Sequence, residues 1–119
     1  MSEFAMRRRL LAALGSLCAL PRVARAEPGV SAGEIVIGQS ITLQGGKNAY
    51  GAEVEAGVKT FLAATNRAGG VNGRRITLRV LDDDNQPAKA EANARQLVKD
   101  GAFLLFGSLE GGPSTAVMA

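Results

Sequence analysis

The stretch from Asn66 to Leu78 constrains the fold of this chain more than any other, and it reads NRAGGVNGRRITL. An amphipathic run ends at Gly69-Gly70, and paired glycines suit the left-handed backbone just past the end of a helix. Asn72-Gly73 suits a tight turn, because both residue types tolerate a positive φ angle. Apolar and polar residues then alternate, which is typical of a strand. The stretch therefore predicts a helix, a turn and a strand in direct succession.

Strand and helix patterns alternate along the chain from residue 34 onwards. Three strands are predicted, at 34–41, 76–80 and 102–106. Helices are predicted between them at 50–68 and 87–100, where apolar residues recur every three or four positions, and a third begins at Pro113. Short links between alternating strands and helices favour right-handed crossovers. The predicted fold class is α/β, with a parallel sheet and helices on both faces.

The first 26 residues have the pattern of an export signal. Arg7-Arg8-Arg9 precedes an apolar run at 10–20, and Ala24-Arg25-Ala26 has the small-residue pattern of a cleavage site. The apolar run is shorter than the roughly 20 residues that cross a bilayer. The interpretation is a signal peptide at 1–26, cleaved after Ala26, and a periplasmic mature protein. A surface helix or a short membrane anchor is the alternative, and the export route is left open.

Composition argues against several classes of function. Five of the 14 basic residues and one of the 11 acidic residues lie in the signal, so the remainder has nine basic and ten acidic residues. That balance gives no reason to expect nucleic acid as a partner. Cys18 is the only cysteine and lies in the signal, and the chain has no histidine. Thiol chemistry and the commonest general base are therefore missing, and no enzyme activity is predicted.

Two short motifs resemble parts of ligand sites. Asp82-Asp83-Asp84 lacks further oxygen ligands at the spacing of a calcium loop, and acidic residues near a helix start are the better interpretation. Gly45-Gly46-Lys47 lacks the first glycine and the final hydroxyl residue of a phosphate loop. Neither a metal nor a cofactor is predicted.

Several segments together resemble the solute-binding receptors of branched-chain amino acid ABC transporters, of the leucine/isoleucine/valine-binding type. The segments are Ile35–Gly38, Asn48–Gly51, Asn66–Ile76, Asp82-Asp83 with Pro87, and Gly107 after an apolar strand. Family members have two lobes that close around a ligand. The resemblance implies that residues 27–119 are the N-terminal part of lobe I, an incomplete periplasmic-binding-protein type I lobe.

The resemblance also implies a binding site. In the family, the loop after the third strand and the helix that follows it hold the carboxylate and ammonium of the ligand. The residues implied as ligand contacts are Ser108, Gly111, Gly112, Ser114 and Thr115, with Tyr50 as a wall of the pocket. A glycine-rich turn into a helix start suits an anionic group. An ordinary strand–helix connection, and a tyrosine that packs on the neighbouring loop, are the alternatives.

The loop departs from the family pattern in two places. Gly111 stands where the family often has a hydroxyl residue, and Glu110 adds a carboxylate to the loop. A carboxylate that pointed inward would repel a ligand carboxylate or favour a ligand ammonium, and the alternative is a carboxylate that faces solvent. The ligand is therefore not fixed as leucine.

The function implied is an exported solute-binding component of an ABC transporter for amino acids or similar small organic solutes, which delivers its ligand to an ABC permease in the membrane. One alternative is a sensor domain of the same fold on a receptor, and another is a non-functional truncated product. An enzyme of flavodoxin-like type is disfavoured. The isolated 119 residues are expected to bind ligand weakly and to be poorly soluble, because half a lobe leaves sheet edges unpaired.

Overall fold

The computed structural model describes residues 26–43 and 50–118 of the chain. Its helices and strands are β1 (Glu34–Ile41), α1 (Gly51–Arg67), β2 (Arg75–Asp82), α2 (Pro87–Lys99), β3 (Leu104–Leu105) and α3 (Gly111–Val117). The element order agrees with the strand–helix alternation predicted from the sequence. The predicted signal peptide, apart from its last residue, lies outside the described residues, and so does the Gly45-Gly46-Lys47 motif.

The joint between α1 and β2 is built as its sequence predicts. Gly69, Gly70, Asn72 and Gly73 all have positive φ angles, between 51° and 103°. Val71 and Arg74 exchange both backbone hydrogen bonds across the two-residue turn, at 2.9 and 3.0 Å. Gly70 is required for a second reason, because a Cβ atom at this position would collide with the carbonyl oxygen of Arg74.

Asn66 fastens the end of α1 to the start of β2. Its Oδ1 accepts a hydrogen bond from the backbone N–H of Ile76, and its Nδ2 donates to the carbonyl of the same residue, both at 2.8 Å. One side chain thus satisfies both backbone groups of a residue on an edge strand. The two hydrogen bonds of Asn66 therefore hold α1 and β2 together in addition to the turn between them.

The three strands form one parallel sheet in the order β2-β1-β3. The central strand β1 pairs with β2 along its whole length, from Glu34 opposite Arg75 to Ile41 opposite Asp82. It pairs with β3 only at Ile37 and Gly38. The parallel sheet predicted from the sequence is therefore confirmed, with the first strand at its centre.

Helices cover both faces of the sheet. Gly38 lies under α2, since a Cβ atom there would lie 3.1 Å from the side chain of Leu97. Alternate residues of a strand point to opposite faces, so Ile37 and its partner Leu78 face the other side, where Leu62 of α1 lies buried beside Leu78. The buried apolar residues are Val36, Ile41, Leu62, Ala90, Ala94, Leu97 and Ala102.

The third strand differs from its prediction in length and in burial. It spans two residues rather than 102–106, although Phe103 and Phe106 extend the contact by donating backbone hydrogen bonds to β1 at 2.8 Å. Phe103, Leu104 and Phe106 are between 41% and 45% exposed. The apolar run predicts a strand covered on both faces, whereas in the described chain β3 is an edge strand with one neighbour.

Candidate functional site

The carboxyl end of the sheet is held together by a buried polar network. Asp83 is 0% exposed, and its carboxylate accepts hydrogen bonds from the hydroxyls of Thr42 (2.5 Å) and Ser40 (3.3 Å). Asn93 of α2 donates to the Ser40 hydroxyl at 3.2 Å and to the Asp82 carbonyl at 3.1 Å. The network fixes the point at which the chain leaves β1 and the turn that follows β2.

This network corrects the interpretation of the acidic triplet as acids near a helix start. The first turn of α2 contains no acidic residue, and the helix begins with Pro87 after Gln86. Asp82 accepts hydrogen bonds from the backbone N–H groups of Leu43 and Asp84, at 3.1 and 2.9 Å. Within the described ranges, no cluster of three acidic or sulfur ligands is arranged to hold a metal ion.

The loop after β3 begins with a turn at Gly107, whose φ angle is +46°. The side chain of Gln39, on β1, donates from Nε2 to the Gly107 carbonyl at 3.1 Å. The next residue, Ser108, is half-buried, and its Oγ is buried without a hydrogen-bond partner among the described residues. The turn therefore presents a hydroxyl whose hydrogen-bonding capacity is unused.

A cavity of about 300 Å³ lies between this loop, α2 and α3. Its polar lining comes from Ser40, Ser108 and Ser114, and its apolar lining includes Ala94, Leu97 and Val117. The fold thus brings together two of the residues that the sequence marks as ligand contacts, and adds Ser40 from the central strand. A cavity with a few hydroxyls and apolar walls suits a small ligand that has both a polar and an apolar part.

The other predicted site residues lie outside this cavity. Gly111 and Gly112 are exposed in the first turn of α3, and a Cβ atom on Gly112 would lie 3.2 Å from Pro87 of α2. Thr115 is exposed, and its hydroxyl donates to the Gly111 carbonyl at 2.9 Å. Tyr50 precedes α1 and is 71% exposed. The structure therefore divides the predicted set between a cavity and an outer surface.

Sequence reasoning missed Gln39, Ser40 and Thr42. Each is polar, and each is at most 5% exposed. The signal that could have found them is the polar run near the carboxyl end of an otherwise apolar strand, where an α/β sheet places its ligand loops.

Among the described residues, no helix combines the length and the hydropathy that crossing a membrane requires.

Comparison with known proteins agrees with this fold. Residues 34–119 match the family described as periplasmic binding protein. The chain is 34% identical over 98 residues to the Leu/Ile/Val-binding protein homolog 2 of Brucella abortus. The aligned residues cover 82% of this chain and 25% of that protein. It is 32% identical over 84 residues to homolog 3 of Brucella melitensis, covering 71% and 23%. The chain thus spans about a quarter of the length of these relatives.

Two solved structures place the fold among transport proteins. The first is the branched-chain amino acid transporter substrate-binding protein of Streptococcus pneumoniae in complex with isoleucine, with a TM-score of 0.67 and 26% identity over 71% of this chain and 24% of that one. The second is a fatty acid ABC transporter substrate-binding protein from Thermomonospora curvata, with a TM-score of 0.72 and 26% identity over 79% and 24%. With most of its length matched by the family and by these relatives, the chain belongs to the periplasmic binding protein family.

Proposed function

We propose that this chain supplies part of the first lobe of an ABC transporter's solute-binding component, for amino acids or similar small organic solutes. The observation that carries the proposal is the family membership of residues 34–119, together with a TM-score of 0.67 to an isoleucine-bound transporter protein. A binding role requires no catalytic group. This is consistent with a chain that has no histidine and whose single cysteine lies in the predicted signal.

The binding site of this lobe is proposed to be the loop after β3 and the start of α3. Ser108 and Ser114 would contact the polar part of the solute from the cavity. Gly111, Gly112 and Thr115 would contribute from the exposed surface of α3, and Tyr50 from the start of α1. A second lobe would close over this surface. The aligned residues cover only 25% of homolog 2, so that relative has room for a second lobe.

Export and delivery complete the proposal. The signal at 1–26 would direct residues 27–119 to the periplasm, where the loaded protein would dock onto an ABC permease. The apolar walls formed by Leu97 and Val117 support a solute with a hydrocarbon portion. This agrees with the solutes named for the relatives and neighbours, which are leucine, isoleucine, valine and fatty acid.

The test is a calorimetric titration of the product of the complete gene with isoleucine, leucine, valine and a medium-chain fatty acid. We expect one of these solutes to bind, and Ser108→Ala to weaken that binding by roughly tenfold, as for the loss of one or two hydrogen bonds. Thr60→Ala is the matched control, because it removes an exposed hydroxyl that donates to a helix carbonyl on α1, away from the site. If none of the four solutes bound, the proposal would be wrong for this solute class.

A further inference from the structure

Gln39 is a buried polar residue in the central strand that has no part in the site as proposed above. It is 1% exposed, and it lies on the face of β1 that also carries Ile37 and Ile41. Burying a carboxamide among apolar side chains is unfavourable unless its hydrogen bonds are made. An aliphatic side chain of similar size would fill this position without that penalty. The presence of an amide at position 39 is therefore explained by the group to which it donates a hydrogen bond.

That group is the carbonyl of Gly107, to which Gln39 Nε2 donates at 3.1 Å. The backbone N–H of Phe106 donates to the Gly38 carbonyl at 2.8 Å, and the chain then turns away with a left-handed φ angle at Gly107. The carboxamide thus binds the carbonyl at which the chain leaves the sheet. The contact joins positions 68 residues apart in the sequence.

Two buried polar atoms, one on Gln39 itself and one on the residue after Gly107, have unused hydrogen-bonding capacity. Gln39 Oε1 and Ser108 Oγ are both buried and have no hydrogen-bond partner in the part of the chain that the structure describes. Native proteins rarely leave such atoms unsatisfied. A polar group that entered beside Ser108 would complete a hydrogen bond that the described residues leave open, while the amide holds the adjacent carbonyl in place.

We infer that Gln39 is a positioning residue, which fixes the Gly107 turn and so the direction in which Ser108 meets the solute. The inference rests on the proposed function, since it takes the Gly107–Thr115 loop as the solute site. Gln39 does not line the cavity, so it would act on the solute through the turn. Its effect on affinity is therefore separable from its contribution to packing in the sheet.

The first experiment measures backbone amide hydrogen exchange without solute in two variants of the protein. Gln39→Met keeps the length of the side chain and removes the hydrogen-bond donor. Gln39→Glu keeps the shape of the side chain and sets an acceptor against the Gly107 carbonyl. We expect exchange at the amide of Phe106, whose hydrogen bond to the Gly38 carbonyl directly precedes the turn, to rise by roughly tenfold in the first variant and by more in the second, with β2 unchanged. Gln96→Met is the control, because Gln96 is an exposed amide on α2 that donates to Asp100 at 2.8 Å.

Exchange that rises equally throughout the sheet, or not at all at Phe106, would overturn the inference in favour of a packing role. A measurement on the unaltered protein covers the case in which neither variant folds. The carboxamide protons of Gln39 should exchange much more slowly than those of Gln96, and a scalar coupling should connect Nε2 to the Gly107 carbonyl carbon. Fast exchange without a coupling would refute the contact itself.

The second experiment titrates the product of the complete gene with isoleucine. Gln39→Met should weaken binding by roughly tenfold, and Gln96→Met should leave it unchanged. Equal affinity in Gln39→Met and the unaltered protein would show that the loop does not need the amide for binding, and would overturn the inference. If the unaltered protein bound no isoleucine, the proposed solute would be wrong, while the exchange measurement would still decide whether Gln39 fixes the turn.

Discussion

The hydroxyl of Thr42 donates a hydrogen bond of 2.5 Å to the carboxylate of Asp83, which is 0% exposed. Ser40 donates to the second carboxylate oxygen at 3.3 Å, and the backbone N–H of Asn85 donates to the first at 3.0 Å. These bonds join the end of β1 to the turn that follows β2. A polar network therefore holds the ends of two neighbouring strands in register. It lies at the carboxyl end of the sheet, where the candidate site also lies.

We expect Asp83→Asn to lower the free energy of unfolding by about 1–3 kcal/mol, the usual effect of leaving a buried polar group unsatisfied. The carboxylate accepts from three donors, and an amide would set an N–H group against at least one of them. Asp100→Asn is the control, because Asp100 is exposed after α2 and a surface change of this kind usually has an effect below about 0.5 kcal/mol. Urea denaturation of both variants checks the difference, and equal effects would show that the network does not stabilise the fold.

Two glycines on or beside α1 should respond oppositely to alanine. Gly70→Ala requires a Cβ atom that collides with the Arg74 carbonyl oxygen, at a φ angle of +71°, so it should destabilise by more than about 1 kcal/mol. Gly57 lies inside the helix, where an added Cβ atom would have no neighbour within 4 Å, and Gly57→Ala should stabilise by about 0.5–1 kcal/mol. Thermal denaturation measures both changes. The same sign for both would contradict the turn geometry.

Asn66→Leu should destabilise the joint by about 1–3 kcal/mol, because it leaves both backbone groups of Ile76 without their side-chain partner. Arg67→Leu changes the next, exposed residue to the same side chain and serves as the control. Hydrogen exchange at the amide of Ile76 measures the effect directly. We expect faster exchange only in the Asn66 variant, and protection that persisted there would refute the role assigned to this side chain.

How much of this structure could be predicted depends on how far apart the interacting residues lie in the sequence. The joint at Gly69–Gly73 was predictable, because its determinants are local backbone preferences. The bonds from Thr42 and Ser40 to Asp83 span 41 and 43 positions, and the bond from Gln39 to Gly107 spans 68. No local pattern specifies such pairs. The polar residues of β1 could be noticed in the sequence, but not their partners.

The candidate site shows the same division. Ser108 and Ser114 were marked by resemblance, and the fold places both at one cavity. Ser40 joins them only because the central strand passes beneath that cavity, which depends on the strand order. The exposure of Phe103 and Phe106 was likewise unpredictable. An apolar run indicates that a strand needs cover on both faces, but it does not indicate which segment provides the cover.

The 119 residues in isolation should bind isoleucine weakly or not at all, and should self-associate through the outer edge of β3. That edge pairs with no strand in the described chain, and it is flanked by exposed Phe103, Leu104 and Phe106. Exposed apolar edge strands favour association between copies. We expect Phe106→Lys to reduce the association seen by sedimentation velocity, and Phe61→Lys, at a residue of α1 that is 69% exposed, to reduce it much less. Equal effects of the two lysines would indicate that net charge, and not the β3 edge, controls solubility, and micromolar binding of isoleucine by these residues alone would show that the site needs no second lobe.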